Sequence, residues 1–254
     1  GAKTRFISRL GQDSFGDIAL ATWAAEGIDA KVVRSPHAPT GAAFIYVNDV
    51  NGENAIIVVP GAAGDISVAD VEAAAETIRS SRVFVTQLEQ PAEAALAALK
   101  IARGAGVTTV FNPAPAAPFD PAIYPLVDYI TPNESETAAM VGFPVETIDD
   151  AKRAGDVLLK KGVGVALITL GEKGALFHAK DRSVLVPAFH VASVVETAGA
   201  GDAFNGGFAA ALAEGREPLA AARFGCAVAG IAVTRAGTAP AMPHRAEVDA
   251  LLNR

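Results

Sequence analysis

Beyond Gly61 the chain alternates short apolar runs with helix-length segments, and few architectures bury such a pattern. Expected helices cover residues 67–80, 91–105, a stretch from about 134, 148–161, 201–214, 218–233 and 244–252. Residues 82–88, 107–111, 127–131 and 165–170 read as strands, and 175–179 with 183–187 as a hairpin over Lys180, Asp181 and Arg182. A β-type run is also expected from Val184 to Val195. One more strand and helix, at 4–10 and 14–26, open the chain, with Phe15, Ile18, Ala19, Thr22 and Trp23 on one helical face. The class is α/β, with a doubly wound, mostly parallel sheet.

One region breaks the pattern. Residues 31–34, 41–47 and 55–59 are three β-type runs with no helix between them, and 49–54 (Asp-Val-Asn-Gly-Glu-Asn) carries hairpin-turn residues. Consecutive antiparallel strands inside an α/β chain suggest a small separate sheet. The expected division is therefore a core of 1–29 and 61–254 with a β lid of 30–60, an edge hairpin of the main sheet being the other reading.

Composition excludes several partners. The 254 residues carry a formal net charge of −7, which argues against nucleic acid or an anionic membrane surface. The single cysteine, Cys226, permits no intrachain disulfide and suits a reducing cytoplasm. No apolar run is long enough to span a bilayer, and no leader is evident before the first strand. His37, His178, His190 and His244 show no metal-binding spacing, and Lys173 reads as a solvated turn residue.

Ligands of an open parallel sheet bind beyond the carboxyl ends of its strands. Those exits here hold Glu89, Asn112, Asn133 with Glu136, Thr169 with Gly171, and 196–202, all polar or glycine-rich without any packing reason. Gly199-Ala200-Gly201 opens an Ala-rich helix, so its amides lack intrahelical partners and face the positive end of the dipole. Asp202 at that mouth is well placed to take a proton from an attacking hydroxyl, or else to cap the helix. Asn133 and Glu136 lie one helical turn apart, and their oxygens suit Mg²⁺; Asn133 is equally a fair N-cap.

Five segments together carry a resemblance: Thr-Ala-Gly-Ala-Gly-Asp-Ala-Phe-Asn-Gly-Gly at 197–207, Thr-Pro-Asn-Glu-x-Glu at 131–136, Asn-Pro-Ala-Pro-Ala at 112–116, Leu-Ile-Thr-Leu-Gly-x-x-Gly at 167–174 and Ala-Val-Thr-Arg-Ala-Gly-Thr at 232–238. In type, order and spacing the chain resembles the ribokinase-like carbohydrate kinases over its whole length. The resemblance implies a Rossmann-like core and ATP-dependent phosphorylation of a furanose primary hydroxyl, D-ribose to D-ribose 5-phosphate foremost. A nucleoside, deoxyribose or ketose is the alternative acceptor, and an inactive nucleotide-binding protein the alternative outcome.

By position, the resemblance makes Asp202 the catalytic base and the amides of Gly199, Ala200 and Gly201 the anion hole. Glu89 becomes a sugar ligand. Asn133, Thr169, Gly171, Gly174 and Gly201 become nucleotide-binding residues, and the start of the helix near Cys226 a flank of the adenine pocket, although Cys226 itself reads foremost as a small buried hydrophobe. Glu136 then organises Mg²⁺ through water. A monovalent cation, usually K⁺, falls to Glu196, Ala198, Ala232, Arg235 and Gly237, largely through carbonyls. The lid of relatives often builds a homodimer.

The sequence also departs from the family. Glu196 stands where Asp is usual and Ala241 where Ser is, which implies weakened or altered cation activation. The family's Gly-Gly-Lys-Gly-x-Asn segment and an earlier Asp, both sugar ligands, would lie upstream of Gly1, so a partial sequence is expected.

Overall fold

A computed structural model describes residues 1–47 and 54–253. The chain runs β1 (Arg5–Gly11), α1 (Ser14–Ala25), β2 (Asp29–Ser35), β3 (Ala42–Val47), β4 (Asn54–Val59), α2 (Val68–Ala73), α3 (Ala75–Arg79) and β5 (Val83–Thr86). It continues through α4 (Ala92–Gly104), β6 (Thr108–Phe111), β7 (Tyr129–Ile130), α5 (Glu134–Val141), α6 (Ile148–Lys160), β8 (Val165–Thr169), β9 (Ala175–His178) and β10 (Ser183–Val186). The helices α7 (Ala200–Ala213), α8 (Pro218–Ala232) and α9 (Arg245–Leu252) close it. No helix among the described residues is long and apolar enough to cross a membrane.

The main sheet has six strands in the order β10-β9-β8-β7-β6-β5. Strands β5 to β8 are parallel, and β9 and β10 run antiparallel at one edge. Side-chain alternation assigns the two faces. Val110, Leu167 and Phe177 pack with Phe204, Phe208 and Ile231 of α7 and α8. Their neighbours Phe111, Ile168 and Leu176 pack on the other side with Ala154 and Leu158 of α6 and Leu99 of α4. Helices cover both faces, as the doubly wound expectation requires.

Three expectations need correction. Residues 31–34 do not belong with the antiparallel strands: β2 lies parallel to β1, in register from Arg5–Asp29 to Gly11–Ser35. Helix α1 supplies the crossover that parallel pairing needs. Only β3 and β4 pair as the separate antiparallel sheet; of the turn expected at 49–54, Asn54 belongs to β4 and the rest lies outside the described residues. The helix expected over 67–80 divides at Ala74 into α2 and α3. The β-type run at 184–195 stops at Val186, because Pro187 offers no N–H to a partner strand.

The β1–β2 pair stands apart from the main sheet, yet Ile7 of β1 and Phe84 of β5 pack against the same cluster around Val71, Ile78 and Ala98. The β3–β4 pair is apolar on both faces. Phe44, Tyr46, Ile57 and Val59 share one face and Ile45 and Val58 the other, and all six are exposed.

Candidate active site

Parallel register aligns the strand exits. Thr86 of β5 lies beside Phe111 of β6, and Phe111 beside Ile130 of β7, so the following segments emerge along one edge. Side-chain and backbone bonds lace these exits together. Asn112 donates from Nδ2 to the Thr131 carbonyl at 2.7 Å, and Leu88 N donates to the Ala114 carbonyl at 2.9 Å. Thr169 N donates to Pro132 O at 2.9 Å. Each bond satisfies a backbone group that the end of a strand would otherwise leave open.

Helix α7 reaches the same edge through Asn205. Its Oδ1 accepts from buried Thr131 Oγ1 at 2.7 Å, and its Nδ2 donates to the Gly201 carbonyl at 3.0 Å. One buried amide thus ties the first turn of α7 to the end of β7. Asn205 lies within the glycine motif, yet no local pattern singles it out. Only the pairing with Thr131, remote in sequence, exposes it.

The first turn of α7 is bare. Its N-cap, Gly199, has φ +74° and no side chain, and no side chain caps the turn. Ala200 N donates to Thr197 O at 3.1 Å, so that amide of the expected anion hole is engaged. The amides of Gly199, Gly201 and Asp202 have no acceptor among the described residues. Unpaired amides at a helix start attract anionic oxygen.

Asp202 and Glu89 are both exposed, and close enough for the charge of one to act on the other. Desolvation by the surrounding protein raises the Asp202 carboxyl above its ordinary value. Desolvation, then the charge of Asp202, raises Glu89 likewise. Neither carboxylate has an ion-pair partner among the described residues, which leaves both available to a ligand.

At α5 the side chains are spent on the helix itself. Asn133 Oδ1 accepts from Glu136 N at 2.8 Å, and Glu136 Oε2 accepts from Asn133 N at 2.8 Å. Asn133 Nδ2 donates to Glu136 Oε1 at 3.0 Å, and Ser135 Oγ donates to Asn133 Oδ1 at 2.8 Å. This is a full capping box. Burial raises the Glu136 carboxyl. Asn133 Oδ1 is therefore saturated, whereas each Glu136 oxygen keeps a lone pair, so the pair suits a hydrated metal held through water better than direct ligation. A cavity of about 600 Å³ beside the 113–124 loop touches the site only at Glu136.

The nucleotide-loop residues follow β8. Thr169 closes that strand, Gly171 has φ +53°, and Gly174 has φ +104°. A Cβ on Gly174 would lie 2.0 Å from the Val186 carbonyl, so this turn demands glycine. Lys173 turns away, donating to Glu146 O at 3.2 Å. Cys226 lies in the middle of α8 rather than at the helix start and is only 5% exposed among Val186, Phe204 and Ile231, where a small buried hydrophobe belongs. Burial pushes its thiol up to about 12, as expected of a small core residue rather than a ligand.

The cation candidates do converge. Glu196 Oε2 accepts from Gly237 N at 2.8 Å, and Glu196 N donates to Val233 O at 3.2 Å, which lays the two loops side by side. The carbonyls of Ala198, Arg235 and Gly237 have no donor among the described residues, while that of Ala232 accepts from Arg235 N. Arg235 spends its guanidinium on Glu247. A carboxylate beside open carbonyls is an oxygen set fit for a monovalent cation.

Comparison with known proteins shows the family. Residues 1–245 match the pfkB family of carbohydrate kinases. A ribokinase of Haemophilus influenzae is 38% identical over 97% of this chain and 80% of its own length, and a deoxyribokinase of Salmonella typhi is 34% identical over 95% and 79%. The structure of Arabidopsis thaliana ribokinase complexed with ribose and ATP superposes with a TM-score of 0.90 at 29% identity, covering 99% of this chain and 82% of that one. A sugar kinase's bare helix start, free carboxylates and laced strand exits thus stand in a chain that belongs to the pfkB family of carbohydrate kinases.

Proposed function

We propose that this protein transfers the γ-phosphoryl group of ATP to the primary hydroxyl of a furanose, with D-ribose giving D-ribose 5-phosphate as the main reaction. The observation that carries the reading is the unpartnered Asp202 carboxylate beside free amides at the start of α7. Asp202 takes the hydroxyl proton as the sugar oxygen attacks phosphorus. The amides of Gly199, Gly201 and Asp202 receive the charge on the transferring group, where fixed dipoles act without reorganising. Glu89, near Asp202, accepts a hydrogen bond from a sugar hydroxyl. Thr169, Gly171 and Gly174 shape the nucleotide side.

When bound with ATP, Mg²⁺ neutralises phosphate charge; Glu136, with Asn133 holding it in place, would meet the ion's water shell. Glu196 with the carbonyls of Ala198, Arg235 and Gly237 would hold K⁺ beside the anion hole. The β3–β4 pair serves as the lid over the sugar. Its second apolar face supports a homodimer formed lid to lid. Deoxyribose is the second substrate reading, favoured by the deoxyribokinase relative at 34% identity.

A panel of ribose, 2-deoxyribose, fructose and adenosine, coupled to ADP release, tests the assignment. Ribose should give the highest kcat/KM. A higher value for any other acceptor reassigns the substrate, and no ADP release above the ATP-only rate with any of them contradicts the kinase reading.

A further inference from the structure

The β3–β4 pair joins the core through two necks, residues 39–41 and 60–61, that cross in close backbone contact. Ala62 N donates to the Pro39 carbonyl at 2.7 Å. A Cβ on Gly41 would stand 2.5 Å from the Pro60 carbonyl, and one on Gly61 2.4 Å from the Pro39 carbonyl. Gly61 also has φ +54°. Backbones this close leave no slack within the crossing, so its attachment to the core governs how the strand pair stands.

That attachment is one buried hydroxyl and one carboxylate. Thr40 is 9% exposed. Its Oγ1 accepts from Gly11 N at 2.9 Å and donates to Asp13 Oδ1 at 2.6 Å, while Thr40 N donates to Asp13 Oδ2 at 2.7 Å. Asp13 Oδ1 also accepts from Gly16 N at 2.9 Å, capping α1. These bonds, the Thr40 hydroxyl first, hold the Asp13 carboxyl below its usual value. The fit is tight, since a Cβ on Gly11 would lie 2.4 Å from Thr40 N and one on Gly16 2.5 Å from the Gly11 carbonyl. Arg34 fixes the same turn from β2, donating to the Gly11 carbonyl at 2.8 Å and pairing with Asp17 at 2.9 Å. The end of β1, the start of α1 and the neck of the strand pair therefore share one joint.

We propose that Asp13 and Thr40 are positioning residues for sugar binding: their paired bonds set the angle at which β3–β4 stands over the cleft. This rests on the reading of β3–β4 as the sugar's lid. Neither residue touches substrate. Loosening the joint changes how well the lid closes on the sugar and leaves the nucleotide side, built on β8 and α7, as it is.

The test compares Thr40→Val, which keeps the shape but loses the hydroxyl, with Thr40→Ser, which restores it. In Thr40→Val the KM for ribose should rise about 10-fold or more while the KM for ATP stays within about 2-fold, and Thr40→Ser should recover most of the loss. An unchanged ribose KM in Thr40→Val, or equal rises in both KM values without recovery in Thr40→Ser, overturns the proposal. Hydrogen exchange separates this from the kinase reading, because it needs no turnover. If the native protein phosphorylates no sugar, the kinase reading alone fails. The joint is then upheld if amides at 39–47 and 54–62 exchange faster in Thr40→Val while those at 83–86 and 108–111 do not, and overturned if exchange is unchanged or rises everywhere.

Discussion

Helices α5 and α7 start at the same sheet edge and carry an acid at the same third helical position, yet the two acids behave oppositely. Glu136 folds back onto the backbone N–H of its N-cap and is engaged there, whereas Asp202 stays free. Side-chain length does not explain the difference, since Asp70 and Asp150 close capping boxes at this position in α2 and α6. The N-cap backbone does. Ser67, Asn133 and Thr147 are extended, which turns both cap groups toward the third residue. Gly199 is left-handed and has no side chain to offer, so Asp202 finds no partner and the amides remain open. The left-handed backbone and missing side chain of its N-cap separate the open start of α7 from the sealed ones.

The comparison can be broken from either side. Gly199→Ser gives α7 a capping side chain and penalises the left-handed conformation, and its Cβ would crowd Thr238 at 3.3 Å. We expect kcat to fall by about 10²-fold or more, the scale of losing an anion-hole donor, with a smaller loss of melting temperature. Wild-type turnover in this variant would separate the open turn from catalysis. Asn133→Ala does the reverse, removing the cap of α5. Stability should fall by about 1–2 kcal/mol in denaturant titration, while kcat changes less than about 10-fold and the Mg²⁺ requirement rises. A loss of turnover as large as that at Gly199 would show that α5 serves the chemistry directly.

The pH profile sharpens the contrast at smaller cost. Asp202 must be ionised to act as base, and desolvation raises its carboxyl. The acidic limb of kcat should therefore lie above the range of an ordinary aspartate, activity falling as pH drops through the folded-state value. The same shift opposes stability: a carboxyl raised in the folded state favours folding most when protonated, an advantage lost as pH rises through that value. A neutral side chain at Asp202 should therefore not lower stability at neutral pH, which thermal melts check.

Much of this was legible in the sequence. Short apolar runs, helix-length segments and the glycine motif placed the parallel sheet, its exits and Asp202. What stayed hidden depends on partners far away in the chain. Residues 31–34 form the same short β-type run in a parallel or an antiparallel pair, and only β1 decides. Asn133 and Glu136 have a spacing that serves a metal or a cap equally, and only the extended N-cap shows that the cap is formed. Cys226 falls near the adenine pocket by resemblance, but α7 and β10 close over it. Asn205 gained its meaning from Thr131, which no local pattern announces.

Asp202→Asn probes the base most directly, because it keeps the shape of the turn and removes only the proton acceptor. With Asp202 as base, kcat should fall by about 10³-fold or more, ATP should still bind within about 3-fold of wild type by calorimetry, and the melting temperature at neutral pH should not fall. Turnover within about 10-fold of wild type would contradict the assignment of Asp202 as the base.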